Sequence, residues 1–349
     1  MSYQDYIDKN KVKKILIIKC RHLGDTLLTT PVFYNLKKEL KNVTIDAFVY
    51  KDSLEILKNN PYIDNILTYD RNIKKLSIFK KLKKEFEIIK KIRNEGYDLI
   101  INLTEGDRGA IYSLFSKARY KVGIDPKNSG FYKKRSIYTH LVKVPKGPRH
   151  SIEKNLDAIR RIGFFPKLED RKPIFVISER AKKKSLQILE NYKLEDNKYI
   201  LIHPTSRWRF KCYNKFDKLI EALLKKNEKV VVVSGKDPYE IKMVDNIIKN
   251  KDVINLAGKV SIEELCYLID KSKVFYSIDS MSFHLANTID AKVIALFGPS
   301  SEINWGPYLN KNATVITKNL PCRPCNLDGC GGSKKSDCLD QIEIEDILH

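Results

Sequence analysis

The chain has 349 residues, 42% of them hydrophobic, which makes it too long for one ordinary core and too apolar for a disordered protein, so two domains of about 170 residues are expected. Its net charge of +22 is lopsided, because residues 1–175 hold 38 basic and 20 acidic side chains whereas residues 176–349 hold 27 and 23. A basic face of this kind attracts nucleic acid, an anionic membrane or an acidic substrate alike, and lysines on solvated helix faces give the same totals, so charge selects no partner by itself.

The first 14 residues are polar and of mixed charge, and no run of about 18 apolar residues follows anywhere. A soluble, cytoplasmic protein is the expectation. Seven cysteines fit reduced thiols in that compartment better than a disulfide framework. Along the first half, short apolar runs at 15–18, 44–50, 65–69 and 98–103 alternate with helical segments. Near-continuous apolar strands of this kind belong in parallel sheets covered by helices on both faces. Residues Asn72 to Glu95 place Lys pairs among Leu, Ile and Phe at helical spacing, which predicts a long basic amphipathic helix. A helix at 150–166 ends in Gly and Pro, and the polar stretch 167–175 reads as the linker.

The pattern restarts with runs at 173–178, 199–204, 229–235, 253–258, 274–279 and 292–298. The expected fold is therefore α/β, with two Rossmann-like, doubly wound parallel-sheet domains, residues 1–170 and 171–349, facing a cleft. Ligands of such sheets bind at the carboxyl ends of the strands. The chain ends in IEIEDILH, read as a helix that packs back on the first domain.

Three strand–loop–helix constellations carry the chemistry. In residues 14–40, Gly24 is expected to supply an unusual backbone angle, and Asp25 stands where strand becomes helix. Asp25 has two readings: a base that takes a proton from a sugar hydroxyl, or a helix cap holding the amides of Leu27 or Leu28. In residues 203–220, Thr205 and Ser206 offer hydroxyls, and Arg207, Arg209 and Lys211 can neutralise a departing diphosphate; the alternative is a solvated basic turn. In residues 274–300, the amides of Met281, Ser282, Phe283 and His284 would open a helix and suit phosphate oxygens, with Ser280 beside them. Asp279 either binds a donor hydroxyl or caps. No Walker loop, GxGxxG or DxD pair accompanies these segments, so hydride transfer is weakly supported and a metal is not called for.

These stretches, with 254–265 and 296–308, resemble the lipopolysaccharide heptosyltransferases of glycosyltransferase family 9 over essentially the whole chain. The resemblance implies a GT-B fold and an inverting, metal-independent transfer with no cofactor. ADP-heptose would be the donor and the Kdo- and heptose-containing inner core of lipopolysaccharide the acceptor. On it, Asp25 is the general base, with Arg21, His22 and Gly24 in the acceptor loop. Thr205 and Ser206 are the family's hydroxyl pair, Lys211 its phosphate-binding lysine and Glu240 its ribose-contacting acid. The family's D-T-G-x-S-H loop reads here Asp279-Ser280-Met281-Ser282-Phe283-His284, with Ser for Thr, Met for Gly and Phe for the usual Leu. The SRW and PCxPC features are most similar to the branch adding the third core heptose.

Cys322, Cys325, Cys330 and Cys338 begin as CxxC and are either four thiolates around a structural zinc or free thiols in a Gly-rich loop. Two rival functions stand beside the resemblance. One is a GT-B transferase using another sugar nucleotide. The other is a basic nucleic-acid-binding protein, though no RNP sheet, helix-turn-helix or zinc finger supports it. Anionic lipid at the cytoplasmic face of the inner membrane is a further candidate contact for the basic half.

Overall fold

The computed structural model describes residues 5–127, 129–144 and 146–348, and divides between Phe175 and Val176 into two compact units. In the first unit the order is β1 (Lys14–Lys19), α1 (Leu23–Leu27), α2 (Thr30–Glu39), β2 (Thr44–Tyr50), α3 (Leu54–Leu57), β3 (Asn65–Tyr69), α4 (Ile78–Asn94), β4 (Leu99–Asn102), α5 (Asp107–Phe115), β5 (Tyr120–Ile124), β6 (His140–Val142) and α6 (Ser151–Arg160). The second unit continues with α7 (Glu179–Asn191), β7 (Tyr199–Ile202), α8 (Phe216–Lys225), β8 (Lys229–Val232), α9 (Pro238–Ile247), β9 (Ile254–Asn255), α10 (Ile262–Lys271), β10 (Val274–Ile278), α11 (Met281–Thr288), β11 (Val293–Leu296), α12 (Glu302–Trp305), β12 (Ala313–Ile316) and α13 (Asp337–Asp340).

The two sheets have the same topology. Strand order is β3-β2-β1-β4-β5-β6 in one and β12-β11-β10-β7-β8-β9 in the other, and every pairing is parallel. Each is the doubly wound arrangement, with its order reversing beside the first strand, at β1/β4 and at β7/β10. Ile15 to Ile18 are fully buried, as are Tyr199, Leu201 and Ile202, because helices cover both faces and leave no solvated side on which a strand could alternate. Loops at the carboxyl ends of these central strands are the places where ligand-binding residues gather in such sheets.

Local sequence sets the helices. In α10, Ser261 Oγ accepts from the Glu264 amide at 3.2 Å while the Glu264 carboxylate accepts from the Ser261 amide at 2.7 Å, a reciprocal pairing that occupies two otherwise orphan donors. Removing it by Ser261→Ala is expected to cost about 1 kcal/mol, read as a lower denaturant midpoint with an unchanged slope.

Several expectations are corrected. Residues 173–178 form no strand; the Ile174 amide instead donates to Thr30 Oγ1 and the Ser178 amide to Glu263 Oε2, so side chains satisfy the backbone that a ladder would otherwise occupy. Strands β5, β6 and β12 were not expected, being short and interrupted by polar residues and glycine. The amphipathic stretch 72–95 is a 3-10 turn, Arg71–Lys75, followed by α4. The closing segment is a series of turns rather than a helix. Its Ile342 and Ile347 are buried with Tyr213 and Phe216 in the core of the second unit, and Tyr213 Oη donates to the Ile342 carbonyl at 2.8 Å. Among the described residues no helix is long and apolar enough to cross a membrane.

Candidate active site

In the first unit the chain leaves β1 at its carboxyl end and turns at once into α1. The capping alternative for Asp25 is not what forms. Asp25 lies inside α1, the cap position belongs to His22, and the Leu28 amide donates to the Gly24 carbonyl at 3.0 Å. Gly24 is buried in the helix and is not among the residues with positive φ, so the unusual backbone angle expected there is absent. Asp25 is half-buried, and among the described residues no hydrogen bond to its carboxylate is formed. Arg21 pairs with Glu105 at 3.6 Å, both ends exposed.

Below this loop sits a residue the sequence reading passed over. Lys19 ends β1 and donates from Nζ to the Leu103 carbonyl at 3.2 Å and to Asn155 Oδ1 at 3.1 Å. Burial lowers its pKa, and the charge of Asp25 pulls it back up, so the two groups feel one another electrostatically. A lysine closing an otherwise apolar strand was the available signal, because a cation is buried there only at a cost.

The second unit brings its candidates together in pairs at the carboxyl ends of β7, β8 and β10. Thr205, fully buried, donates from Oγ1 to Glu240 Oε2 at 2.7 Å. Glu240 opens α9, and a Cβ built on Gly235 would lie 3.2 Å from its Oε2, so the glycine after β8 leaves room for the carboxylate. Ser206 Oγ accepts from the Trp208 amide at 3.2 Å. Lys211 closes the 3-10 turn Arg209–Lys211 and meets Asp279 at 2.6 Å, where the aspartate is buried and the lysine partly open. The carboxylate is thus engaged by Lys211 and makes no cap on α11.

The loop after β10 keeps its helix start although Met281 replaces the family's glycine. Met281 is the first residue of α11 and does not have positive φ, so a side chain is accommodated without strain. Ser282 Oγ lies 2.8 Å from Ser280 Oγ and 3.0 Å from Ser277 Oγ. The expected set of four outward amides shrinks to three, since the His284 amide donates to the Ser280 carbonyl at 3.4 Å; Met281, Ser282 and Phe283 head the helix. Phe283 is fully buried edge-on to Phe297, with centroids 5.4 Å apart, and the His284 ring contacts those of Phe283 and Trp305. Arg209 stacks over the Tyr239 ring at 4.2 Å and Arg207 over Trp208 at 5.2 Å.

His203, the first residue of this constellation, is a second one that the sequence reading did not select. It is buried, with Nδ1 lacking a partner among the described residues. Burial pushes its pKa down, against the nearby charge of Glu240. The four late cysteines differ in their surroundings. Cys322 and Cys330 are exposed, Cys325 is partly so, and Cys338 is buried in α13 with its thiol pushed up to about 11, chiefly by burial. Among the described residues no group of three or more His, Cys, Asp or Glu is arranged to hold a metal ion.

The sequence profile of glycosyltransferase family 9 (heptosyltransferase) matches residues 86–335. The chain is 34% identical over 295 residues to lipopolysaccharide heptosyltransferase 3 of Escherichia coli K12, covering 82% of this chain and 83% of that one. In fold it is similar to a family 9 glycosyl transferase from Veillonella parvula, with TM-score 0.79, 19% identity and 96% and 95% of the two chains covered. It is also similar to E. coli ADP-heptose lipopolysaccharide heptosyltransferase II, with TM-score 0.74, 18% identity and 96% of each chain covered.

Proposed function

Because the chain belongs to glycosyltransferase family 9 and is a glycosyltransferase, we propose that it moves a heptosyl group from ADP-heptose onto the inner core of lipopolysaccharide, with inversion and without a metal ion. The kinship to lipopolysaccharide heptosyltransferase 3 supports the acceptor class, and the name of the E. coli structural relative supports the donor. The observation that carries the reading is the paired constellation of the second unit, with Lys211 against Asp279 and Thr205 against Glu240.

In this reading an acceptor hydroxyl oxygen attacks the anomeric carbon, the bond from that carbon to the β-phosphate oxygen breaks, and the proton passes to Asp25. ADP leaves with one more negative charge to be stabilised. Lys211, the amides heading α11, and Arg207 and Arg209 supply positive potential for it, an arrangement that works best where the donors are fixed beforehand. Thr205, Ser206, Ser280 and Ser282 offer hydroxyls to the donor, Glu240 accepts from its ribose, and Arg21 and His22 meet the acceptor. The protein works in the cytoplasm, where sugar nucleotides are made and the cysteines stay reduced.

The test mixes purified protein, ADP-heptose and lipopolysaccharide truncated in its inner core. The acceptor is expected to gain one heptosyl mass, with ADP released in equal amount, and excess chelator is expected to leave the rate unchanged. No mass gain with ADP-heptose, but transfer from a different sugar nucleotide, would replace the donor assignment; loss of activity on chelation would replace the metal-free one.

A further inference from the structure

Helix α4 is seated by only part of its length. Its later turns pack Ile88, Ile89 and Ile92 on the first unit's core. Glu85 accepts from Tyr69 Oη at 2.8 Å and Tyr112 Oη at 2.6 Å. The turns before Glu85 have no such seat, because every residue from Lys74 to Lys84 is exposed. Ile78 is 70% exposed, Phe79 83%, Leu82 62% and Phe86 65%. Large apolar residues left open in a contiguous group mark an interaction surface rather than scatter.

The four lie together. At about 100° per residue, Ile78, Leu82, Phe86 and Phe79 fall within an arc of roughly 100°. Lys83 and Lys90 border that arc on one side, and the helix carries seven Lys and Arg against Glu85 and Glu87, of which Glu85 is turned to the tyrosines. A second copy of this chain would set the same positive helix against itself, and like charges oppose that contact. A bilayer rich in anionic lipid complements both features, since apolar side chains enter the acyl boundary while lysines stay at the phosphates.

We propose that the first turns of α4, through Ile78, Phe79, Leu82 and Phe86, dock the protein on an anionic lipid bilayer, with the surrounding lysines supplying the electrostatic part. This deepens the proposed function and rests on it in one respect: an acceptor that is itself a lipid brings the enzyme to a membrane surface. The helix would lie along the interface rather than cross it.

The test uses the full chain and co-sedimentation with vesicles of phosphatidylglycerol and phosphatidylcholine, or of phosphatidylcholine alone. The mixed vesicles are expected to bind the protein, less so as salt is raised. The variant Phe79→Ser/Leu82→Ser/Phe86→Ser, altered only at exposed positions, is expected to bind at least about tenfold more weakly, with its rate on a water-soluble, deacylated acceptor unchanged. Variant binding equal to wild type, equal binding to neutral vesicles, or a wild-type dimer that the variant dissociates would each overturn the proposal. Vesicle binding is read without turnover, so a protein that binds lipid but transfers no heptose defeats the functional reading alone. One that glycosylates the soluble acceptor but ignores vesicles defeats only the docking.

Discussion

Asp25→Asn is expected to lower kcat by about a thousandfold, within the range that a positioned general base contributes, while leaving the affinity for ADP-heptose within about twofold. The substitution keeps size and shape and removes only the proton acceptor. Asp25 sits within α1 and its carboxylate is not spent on a cap, so the helix has no reason to change. Donor binding is assigned to residues after β7, β8 and β10, which the change does not touch. Lys19, whose pKa burial lowers and Asp25 raises, loses that support in the variant while keeping its bonds to Leu103 and Asn155. The measurement is steady-state ADP release beside calorimetric titration of the donor; an Asn variant turning over within tenfold of wild type would remove the base from Asp25.

Lys211→Met is expected to lower kcat by about a hundredfold to a thousandfold, the loss found when one preorganised donor to a developing anion is removed, and to weaken ADP binding as well. Interpretation needs a control, because Lys211 is also the partner of the buried Asp279. Removing the cation strands a carboxylate, which costs on the order of 3 kcal/mol for a buried pair. The double variant Lys211→Met/Asp279→Asn removes both charges and is expected to recover most of the stability and none of the activity. Recovery of activity with stability would mean that Lys211 serves only to neutralise Asp279.

The alternating architecture was legible because central strands such as ILII at 15–18 and YILI at 199–202 are apolar without interruption. Residues 174–177, IFVI, are as apolar and form no strand, since sheet membership depends on a neighbour with free backbone groups, which no local pattern contains. Conversely, YKVGI at β5 and ATVI at β12 belong to sheets although Lys121, Gly123 and Thr314 dilute their signal. In the candidate site, the resemblance supplied Thr205, Lys211, Glu240 and Asp279 as separate roles. What it could not supply was who holds whom: Thr205 meets Glu240 across 35 residues and Lys211 meets Asp279 across 68. Lys19 and His203 escaped notice because one closes and the other directly follows a strand whose apolar pattern explains its neighbours and not itself.

The parallel pairing of both sheets has a consequence for how the chain is made. No adjacent strands can close as a hairpin, and β1, central in its sheet, pairs on one side with β4, Ile15 opposite Leu99. While a ribosome extends the chain, that side of β1 stays open until more than eighty further residues have been added, and β7 waits likewise for Val274. Two intervals of exposed apolar edge are therefore built into synthesis, and a cell making this protein has to keep nascent chains apart during both.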